Sequence, residues 1–241
     1  MIFQVNKTKY HMQHIPKHVV IIPDGNRRWA REKGLQSFQG HVRGFELVMD
    51  LGDKAHEMGV KVLTIWAFST ENWKRSKKEV NFLMSLFSKK IDEYLEKALE
   101  KNIRIIHIGR KDRIPQVLRD KIVQAEQKTA RFSKLHLVIA LDYGGRDEVV
   151  RAFNRFKIKD SGFKNLDEES FGSYLDTKDL PYSNPDLVIR TSGEFRTSGF
   201  MIWQTAYSEY IFVKKYFPDF SVEDFAECIR EYSRRTRRFG K

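Results

Sequence analysis

The sequence contains one cysteine and no apolar run near the roughly 20 residues that span a bilayer. Cys228 alone excludes an intramolecular disulfide and favours a reducing compartment. Its helical surroundings indicate a buried packing residue. Residues 1–18 lack the apolar stretch of a secretory leader. These absences predict a cytoplasmic protein that would meet a membrane only from its surface.

Two nucleotide-binding motifs are also missing. The Walker pattern Gly-x4-Gly-Lys-Ser/Thr does not occur, and no Gly-x-Gly-x-x-Gly follows the first predicted strand, which argues against a nucleotide triphosphatase and a dinucleotide-binding fold. Positive charge, in contrast, is abundant: 44 Lys and Arg against 32 Asp and Glu give a net charge of +12. This excess favours polyanions, anionic membranes or phosphorylated small molecules as partners, although solvated helix faces would also account for it.

Short apolar, β-rich segments alternate along the chain with longer segments of helical periodicity. The predicted strands are 18–22, 62–68, 103–109, 135–141, 186–191 and 210–213. The predicted helices are 40–58, 77–101, 115–130, 146–157, 167–175 and 221–237. This alternation predicts one α/β domain over 1–241, with a loose segment at 1–17 and a mostly parallel six-stranded sheet that carries helices on both faces.

Polar segments follow four of the predicted strands. They are PDGNRRWA at 23–30, STENWKR at 69–75, DYGGR at 142–146 and RTSGEFRTSGF at 190–200. Ligands of open parallel sheets bind outside the carboxyl ends of the strands, so these segments predict one shared binding site.

The first of these segments combines a carboxylate with two guanidiniums. The backbone at Gly25 and Asn26 would form an anion site where a strand turns into a helix, and Arg27 and Arg28 suit phosphate. Asp24 fits beside an anion only if a divalent cation lies between them, as Mg²⁺ does with substrate phosphates. An Asp N-cap with two surface arginines is an equally good interpretation of this stretch alone.

The segment after the fifth strand offers a second anion pocket, with Arg190, Arg196 and Ser198 as its candidate ligands. The helix at 77–101 is apolar over more of its circumference than a surface helix needs. That stripe indicates core packing or the wall of a hydrophobic tunnel. Two diphosphate pockets beside a tunnel would suit a lipid diphosphate.

These motifs together resemble the cis-prenyltransferase family, the undecaprenyl and dehydrodolichyl diphosphate synthases. The resemblance runs from HVVIIPDGNRRWA through the GH at 40–41, WAFSTENWKR, DYGGR, PDLVIRTSGEFRTSGFMIWQTAYSE and FPDF to the terminal RRFG, nearly the whole chain. It implies Mg²⁺-dependent condensation of isopentenyl diphosphate onto an allylic diphosphate, farnesyl or geranylgeranyl diphosphate. The polyprenyl diphosphate formed would be a precursor of a glycosyl-carrier lipid.

The resemblance also implies roles for individual residues. Asp24 would bind Mg²⁺ and assist departure of the allylic diphosphate, and Glu209 would complete the metal site, in some descriptions from the neighbouring subunit. Asn72 would assist proton removal from isopentenyl diphosphate, with a substrate phosphate oxygen as the alternative proton acceptor. The remaining substrate-binding residues would be Gly25, Asn26, Arg27, Arg28, Trp29, Ser37, His41, Ser69, Thr70, Glu71, Trp73, Arg75, Arg190, Arg196, Thr197 and Ser198. A homodimer is implied as well, in which the element at 237–240 would reach the partner's active site.

Some positions depart from the common family pattern. Arg27 replaces a frequent Gly, Ser37 a phosphate-contacting Arg, and Asp142 a frequent Asn. Two other functions remain open at this point: an inactive partner subunit and a basic nucleic-acid-binding module. The first conflicts with the retained motif residues, and the second lacks a recognisable nucleic-acid signature, so no nucleic-acid partner is expected. A trans-prenyltransferase is disfavoured because no DDxxD motif occurs.

Overall fold

The computed structural model describes residues 14–159 and 166–236. Six strands form one sheet: β1 (His18–Ile22), β2 (Val62–Ser69), β3 (Ile103–Ile108), β4 (Leu135–Tyr143), β5 (Leu187–Arg190) and β6 (Glu209–Phe212). Their order is β3-β4-β2-β1-β5-β6, and every pair of neighbours is parallel. The sheet is therefore wholly parallel, where the sequence predicted a mostly parallel one.

The strand order reverses at β1. From β1 the chain builds β2, β3 and β4 on one side and then returns to place β5 and β6 on the other. Ligands of doubly wound sheets bind at such a reversal point, outside the carboxyl ends of the strands. The topology thus directs attention to the residues that follow β1, β2 and β5.

Eight α-helices connect the strands in the part of the chain that the structure describes. They are α1 (Asn26–Glu32), α2 (Ser37–Glu46), α3 (Val48–Glu57), α4 (Lys77–Lys101), α5 (Gln116–Thr129), α6 (Gly145–Lys159), α7 (Glu168–Gly172) and α8 (Val222–Arg234). Short 3₁₀ turns lie at Thr70–Lys74 and Phe217–Asp219.

The helix predicted over 40–58 is instead two helices, α2 and α3. The Leu47 N–H bonds to the Gly44 carbonyl, three residues back rather than four, and this tighter turn separates them. α2 also begins earlier than predicted, at Ser37, because the Gln36 and Gln39 side chains cap its first turn reciprocally. The strand β4 runs two residues further than predicted, so Asp142 and Tyr143 belong to the strand.

The core has two sides because successive strand residues point to opposite faces of the sheet. Val19 and Ile21 of β1 belong to the larger cluster, which α2, α3, α4, α5 and α8 cover. Val20 and Ile22 pack on the other face against Leu180, Phe200 and Met201. The near-continuous apolar strands in the sequence reflect this burial on both faces.

Candidate active site

Two cavities open at the carboxyl ends of β1, β2 and β5. One, of about 390 Å³, is lined by residues of β1, β2, α2 and the 3₁₀ turn that follows β2, together with Arg190 and Ser198. The other, of about 680 Å³, is lined by the first turn of α1 with Arg31, Leu35 and Ser37. Pro23, Asp24, Asn26, His41 and Arg75 line both cavities, so the two spaces adjoin.

Asp24 lies at the centre of this region and is held by two arginines. Its carboxylate accepts 2.8 Å from Arg190 Nη2 and 3.3 Å from Arg28 Nη2, and its Oδ1 also accepts from the Gly25 N–H at 2.6 Å. Burial opposes ionisation of Asp24, but these donors hold its pKa below the usual value. The group is therefore a carboxylate at neutral pH.

The turn into α1 depends on Gly25. Its φ is +94°, and a Cβ at this position would come within 2.4 Å of the Tyr216 ring. With glycine as the N-cap residue, no side chain caps α1. The N–H groups of the first helical turn therefore remain available to an anion in the cavity that Arg27 and Arg28 also line.

His41 and Arg75 face the same space from α2 and the end of the 3₁₀ turn. Burial, with the positive charges of Arg75 and Arg27, lowers the pKa of His41 to about 4. Burial also lowers the pKa of Arg75, although Glu79 accepts a hydrogen bond from it at 3.0 Å. His41 is thus neutral at physiological pH, and the arginines supply the positive charge.

The turn after β2 is built by its own side chains. Asn72 Oδ1 accepts 3.1 Å from the Ser69 N–H, and the Ser69 hydroxyl accepts 3.1 Å from the Glu71 N–H. The same hydroxyl donates to the Glu71 carboxylate. The amide oxygen of Asn72 therefore already has a donor, and Ser69, Glu71, Asn72 and Arg75 all line the smaller cavity.

The loop after β5 carries the second group of predicted ligands. Arg190 Nη1 donates 2.9 Å to Ser198 Oγ and also to the Arg196 carbonyl, while Arg196 pairs with Glu194. Ser198 adopts a positive φ of 53°, a conformation that non-glycine residues adopt rarely and that clusters at binding sites. Arg190 Nε is buried without a partner among the described residues.

Most of the predicted residues meet here, but some do not. Trp29 is turned toward the 3₁₀ turn at 217–219, where its Nε1 donates 2.7 Å to Asp219. Thr197 lies in the loop after β5 without lining either cavity, and Thr70 packs on Gly144. Trp73 contacts Asp142 beneath the turn, through a hydrogen bond of 2.8 Å.

Glu209 lies far from Asp24 within the subunit. It begins β6, and its register partner is Leu187 at the start of β5, whereas Asp24 follows the end of β1. Glu209 Oε2 instead accepts 2.8 Å from Arg235. A single subunit therefore does not bring the two predicted metal ligands together. The predicted partner-reaching element at 237–240 lies outside the described residues.

The predicted hydrophobic tunnel is only partly formed. Phe45, Ile65, Ala67 and Phe68 give the smaller cavity an apolar wall. Deeper in, a separate apolar cavity of about 30 Å³ lies between α4 and strands β3 and β4, with Phe87, Ile91 and Tyr94 on its α4 side. Phe45 lines both cavities, and most of the α4 stripe is packed core.

Sequence reasoning missed the residues that hold the arginines. Arg28 Nη1 donates 2.7 Å to Glu194 and Nη2 donates to Ser192, which fixes the guanidinium across the β1–β5 boundary. Both partners lie inside the RTSGEFRTSGF segment, so the motif contained the signal. Asp142 belongs to DYGGR at 142–146, a strand-end segment predicted to join the binding site, but no residue of that segment lines either cavity.

The arginine and N–H donors around Asp24 suit an anion, so a cation would fit beside Asp24 only together with an anionic ligand. Within the described ranges, no three His, Cys, Asp or Glu residues converge as a metal cluster. Asp24 is nevertheless accompanied in the smaller cavity by Asn26 Oδ1, a buried oxygen without a partner among the described residues. One carboxylate and few other protein oxygens match Mg²⁺ that takes most of its ligands from substrate phosphates and water.

Comparison with known proteins agrees with this geometry. Residues 22–240 match the prenyltransferase family model described as "Putative undecaprenyl diphosphate synthase". An isoprenyl transferase of Thermotoga maritima is 48% identical over 94% of this chain and 97% of its own length. A farnesyl-diphosphate-specific ditrans,polycis-undecaprenyl-diphosphate synthase of Micrococcus luteus is 43% identical over 94% of this chain and 92% of its own length.

A solved structure has the same fold. The lavandulyl diphosphate synthase of Lavandula x intermedia, crystallised with dimethylallyl diphosphate, superposes with a TM-score of 0.91 at 36% identity, covering 94% of this chain and 99% of that one. The chain therefore belongs to the undecaprenyl diphosphate synthase family of prenyltransferases. No helix in the described ranges is long and apolar enough to cross a membrane.

Proposed function

We propose that this protein elongates an allylic diphosphate with isopentenyl diphosphate, with Mg²⁺, to give a cis-polyprenyl diphosphate. The observation that carries the proposal is the pair of adjoining cavities that share Asp24, His41 and Arg75. One cavity is lined by Arg27, Arg28 and Arg31 and suits a diphosphate, while the other combines polar groups with an apolar wall. Family membership supports the same reaction.

The allylic diphosphate would occupy the first turn of α1. The backbone N–H groups of that turn, with Arg28 and Arg75, would bind its phosphate oxygens and stabilise the charge that develops as the allylic C–O bond breaks. Mg²⁺ held between Asp24 and the diphosphate would neutralise further charge on the leaving group. Asn26 Oδ1 is a candidate second oxygen for the ion or its water.

Isopentenyl diphosphate would bind beside Arg190, with Arg196, Thr197 and Ser198. Its C4 would bond to the allylic C1, and the proton lost from its C2 would pass to a base. Asn72 Oδ1 already accepts from the Ser69 N–H, and an amide is a weak base. We therefore propose that Asn72 has a structural part in the turn. An oxygen of a substrate diphosphate would then accept the proton.

The apolar wall formed by Phe45, Ile65 and Ala67 would keep water from the developing allylic cation. The growing chain would extend from there toward the cavity beneath α4. Because that cavity holds only about 30 Å³, a long product would require Phe45 and the α4 side chains to move aside.

We also propose a cytoplasmic homodimer that touches the membrane peripherally. The net charge of +12 supports contact with anionic headgroups, and a lipid product would be released there. Glu209 would join the metal site only from the neighbouring subunit, because within one subunit it starts β6 at the opposite end of the strands. The retained Asp24 and Arg190 argue against an inactive partner subunit.

The test is incubation of the purified full chain with Mg²⁺, labelled isopentenyl diphosphate and either farnesyl or geranylgeranyl diphosphate, followed by sizing of the products. We expect elongated products with cis double bonds, and loss of turnover when a chelator removes Mg²⁺. Elongation that needs a second, different chain would support the inactive-subunit alternative. Tight, salt-dependent binding to RNA or DNA in place of elongation would support the nucleic-acid alternative.

A further inference from the structure

Asp142 is a fully buried carboxylate outside the cavities described above. Asp142 lies near the carboxyl end of β4, and its φ of 53° is in the left-handed region. A buried charge is unfavourable unless it is paired and hydrogen-bonded. Its partners therefore show what the residue does.

Two side chains from different segments converge on Asp142. Trp73 Nε1 donates 2.8 Å to Oδ1, and Arg113 Nε donates 2.8 Å to Oδ2, with Arg113 Nη2 also donating to Oδ1. The Arg113 guanidinium carbon lies 5.8 Å from the centre of the Trp73 ring. Asp142, Arg113 and Trp73 thus form one compact group, which we call the Trp73 clamp.

The clamp lies directly beneath the turn that carries Asn72 and Arg75. Trp73 packs edge-on against Phe68 at 5.3 Å between ring centres, and Phe68 packs in turn against Phe87 of α4. Asn72 and Arg75, the residues on either side of Trp73 and Lys74, line the smaller cavity. A shift of the turn backbone at Trp73 would therefore move both of these cavity-lining side chains.

The same strand end holds the turn at a second point. A Cβ on Gly144 would come within 2.5 Å of Thr70 Oγ1, so only glycine allows this contact without a shift. Ser69 pairs with Tyr143 in the β2–β4 ladder, beside a register irregularity. The turn at Thr70–Lys74 thus rests on the end of β4, and Asp142 makes the charged contact with it.

We infer that Asp142 and Arg113 are positioning residues that, through Trp73, set the placement of the turn at Thr70–Lys74 and thereby of Arg75, which would bind the diphosphate. The expected effect on turnover rests on the proposed function, whereas the geometry of the Trp73 clamp does not depend on that function. Neither Asp142 nor Arg113 lines the two cavities. Their effect on turnover would therefore pass through Trp73.

The test compares four variants of the full chain. Asp142→Gly removes the acceptor that Trp73 and Arg113 share, and glycine adopts the positive φ without strain. Arg113→Met removes the other half of the pair, and the double variant removes both. Arg110→Met is the matched control, because Arg110 lies in the same segment but its side chain pairs with Asp112 and Asp147.

The primary readout is the fluorine NMR spectrum of protein labelled with 5-fluorotryptophan. The chain has four tryptophans, and Trp73→Phe assigns the Trp73 resonance. We expect this resonance to shift or broaden in Asp142→Gly and Arg113→Met, with the Trp29 and Trp203 resonances unchanged. Trp66 is not a reference, because its Nε1 donates to the carbonyl of Tyr143, next to residue 142. We also expect kcat to fall about 10-fold to 100-fold, the range produced by slight misplacement of positioning groups. Arg110→Met should stay within about twofold of wild type.

The double variant should be no slower than the slower single variant, because both substitutions break one contact. All rates are compared at a temperature where thermal unfolding shows each variant to be folded. An unchanged Trp73 resonance, or kcat values equal to that of Arg110→Met, would overturn the inference. If wild type itself does not elongate prenyl chains, the proposed function fails, and the spectrum alone still decides whether the clamp holds Trp73.

Discussion

The two ends of the parallel sheet use the same kinds of charged residue in different ways. At the carboxyl end, Arg190 and Arg28 both bind Asp24, and the group borders two cavities. At the amino end, Asp186 Oδ2 accepts from the backbone N–H groups of Lys17 and His18, at 2.7 and 3.2 Å. At this end the carboxylate satisfies backbone N–H groups.

The two ends of the sheet differ in the hydrogen-bond donors that remain available beside a cavity. Arg190 Nε is buried without a partner among the described residues, and the first turn of α1 has no side-chain cap. At the amino end, by contrast, Asp186 serves two backbone donors and Glu209 serves Arg235. The amino end also has an unpartnered group among the described residues, His136 Nδ1 of β4, so the difference is that the unpaired donors at the carboxyl end belong to residues that border the cavities. Three experiments can break or sharpen that distinction.

The largest effect is expected from Asp24→Ala, because it removes the carboxylate at the cation and diphosphate site. Turnover should fall by at least about 10³-fold in a product assay with saturating substrates. Asp186→Asn at the amino end is the control and should stay within a few-fold of wild type once folding is verified. Near-normal turnover of Asp24→Ala would contradict the proposed site.

An intermediate effect is expected at Glu209, which tests whether the amino end of one subunit serves the site of another. Glu209→Gln should lower turnover by about 10²-fold if a partner's metal site uses it. Mixing inactive Asp24→Ala and Glu209→Gln chains would then create dimers with one intact site. Random exchange predicts recovery of about one quarter of wild-type activity. If activity does not recover although subunit exchange is verified, Glu209 does not serve the partner's site, and Asp24 and Glu209 have separate roles within one subunit.

The smallest effect concerns stability at low pH. Burial lowers the pKa of His18 to about 4. Above pH 6.5 His18 is neutral in both states, whereas between pH 6.5 and 4 the unfolded chain takes up a proton that the folded chain refuses. The free energy of unfolding should therefore decrease over this range, by up to about 3 kcal/mol from His18 alone.

Urea denaturation at a series of pH values measures this decrease. His18→Gln should flatten the decline, while His14→Gln, which alters an exposed side chain, should leave it unchanged. An unaltered pH dependence in His18→Gln would remove His18 as its source. A flattened decline would show that His18, at the amino end of the sheet, contributes to the pH dependence of stability.

The strands and the long helix could be predicted because local signals agree with tertiary burial. α4 has the predicted bounds, 77–101, since Ser76 caps its start and Asn102 ends it at a φ of 56°. The clustering of polar segments at the strand ends followed from the parallel topology, and it placed Asp24, Asn72 and Arg190 around one cavity. The roles assigned to these residues are still predictions.

Other features depend on contacts that no local pattern encodes. Arg113 and Asp142 are 29 residues apart, and nothing in either segment indicates that they meet. The position of Glu209 follows from the sequence alone. The strand predicted at 210–213 places Glu209 directly before that strand, and therefore at the amino end of the sheet. The resemblance suggests a metal ligand, in some descriptions from the neighbouring subunit, and the sheet register agrees that Glu209 and Asp24 of one subunit do not meet.

The pairing of Asp24 with Arg190 has a consequence for how the protein matures. The two residues are 166 positions apart, and the strand that carries Arg190 joins the sheet beside β1, which is formed much earlier in the chain. A nascent chain that has not yet reached β5 therefore has the carboxylate and Arg28 but lacks Arg190, the closer of the two guanidinium partners of Asp24. Assembly of the sheet around β1 is then also the step that would complete the proposed diphosphate site, so truncated or half-folded chains would not compete for substrate.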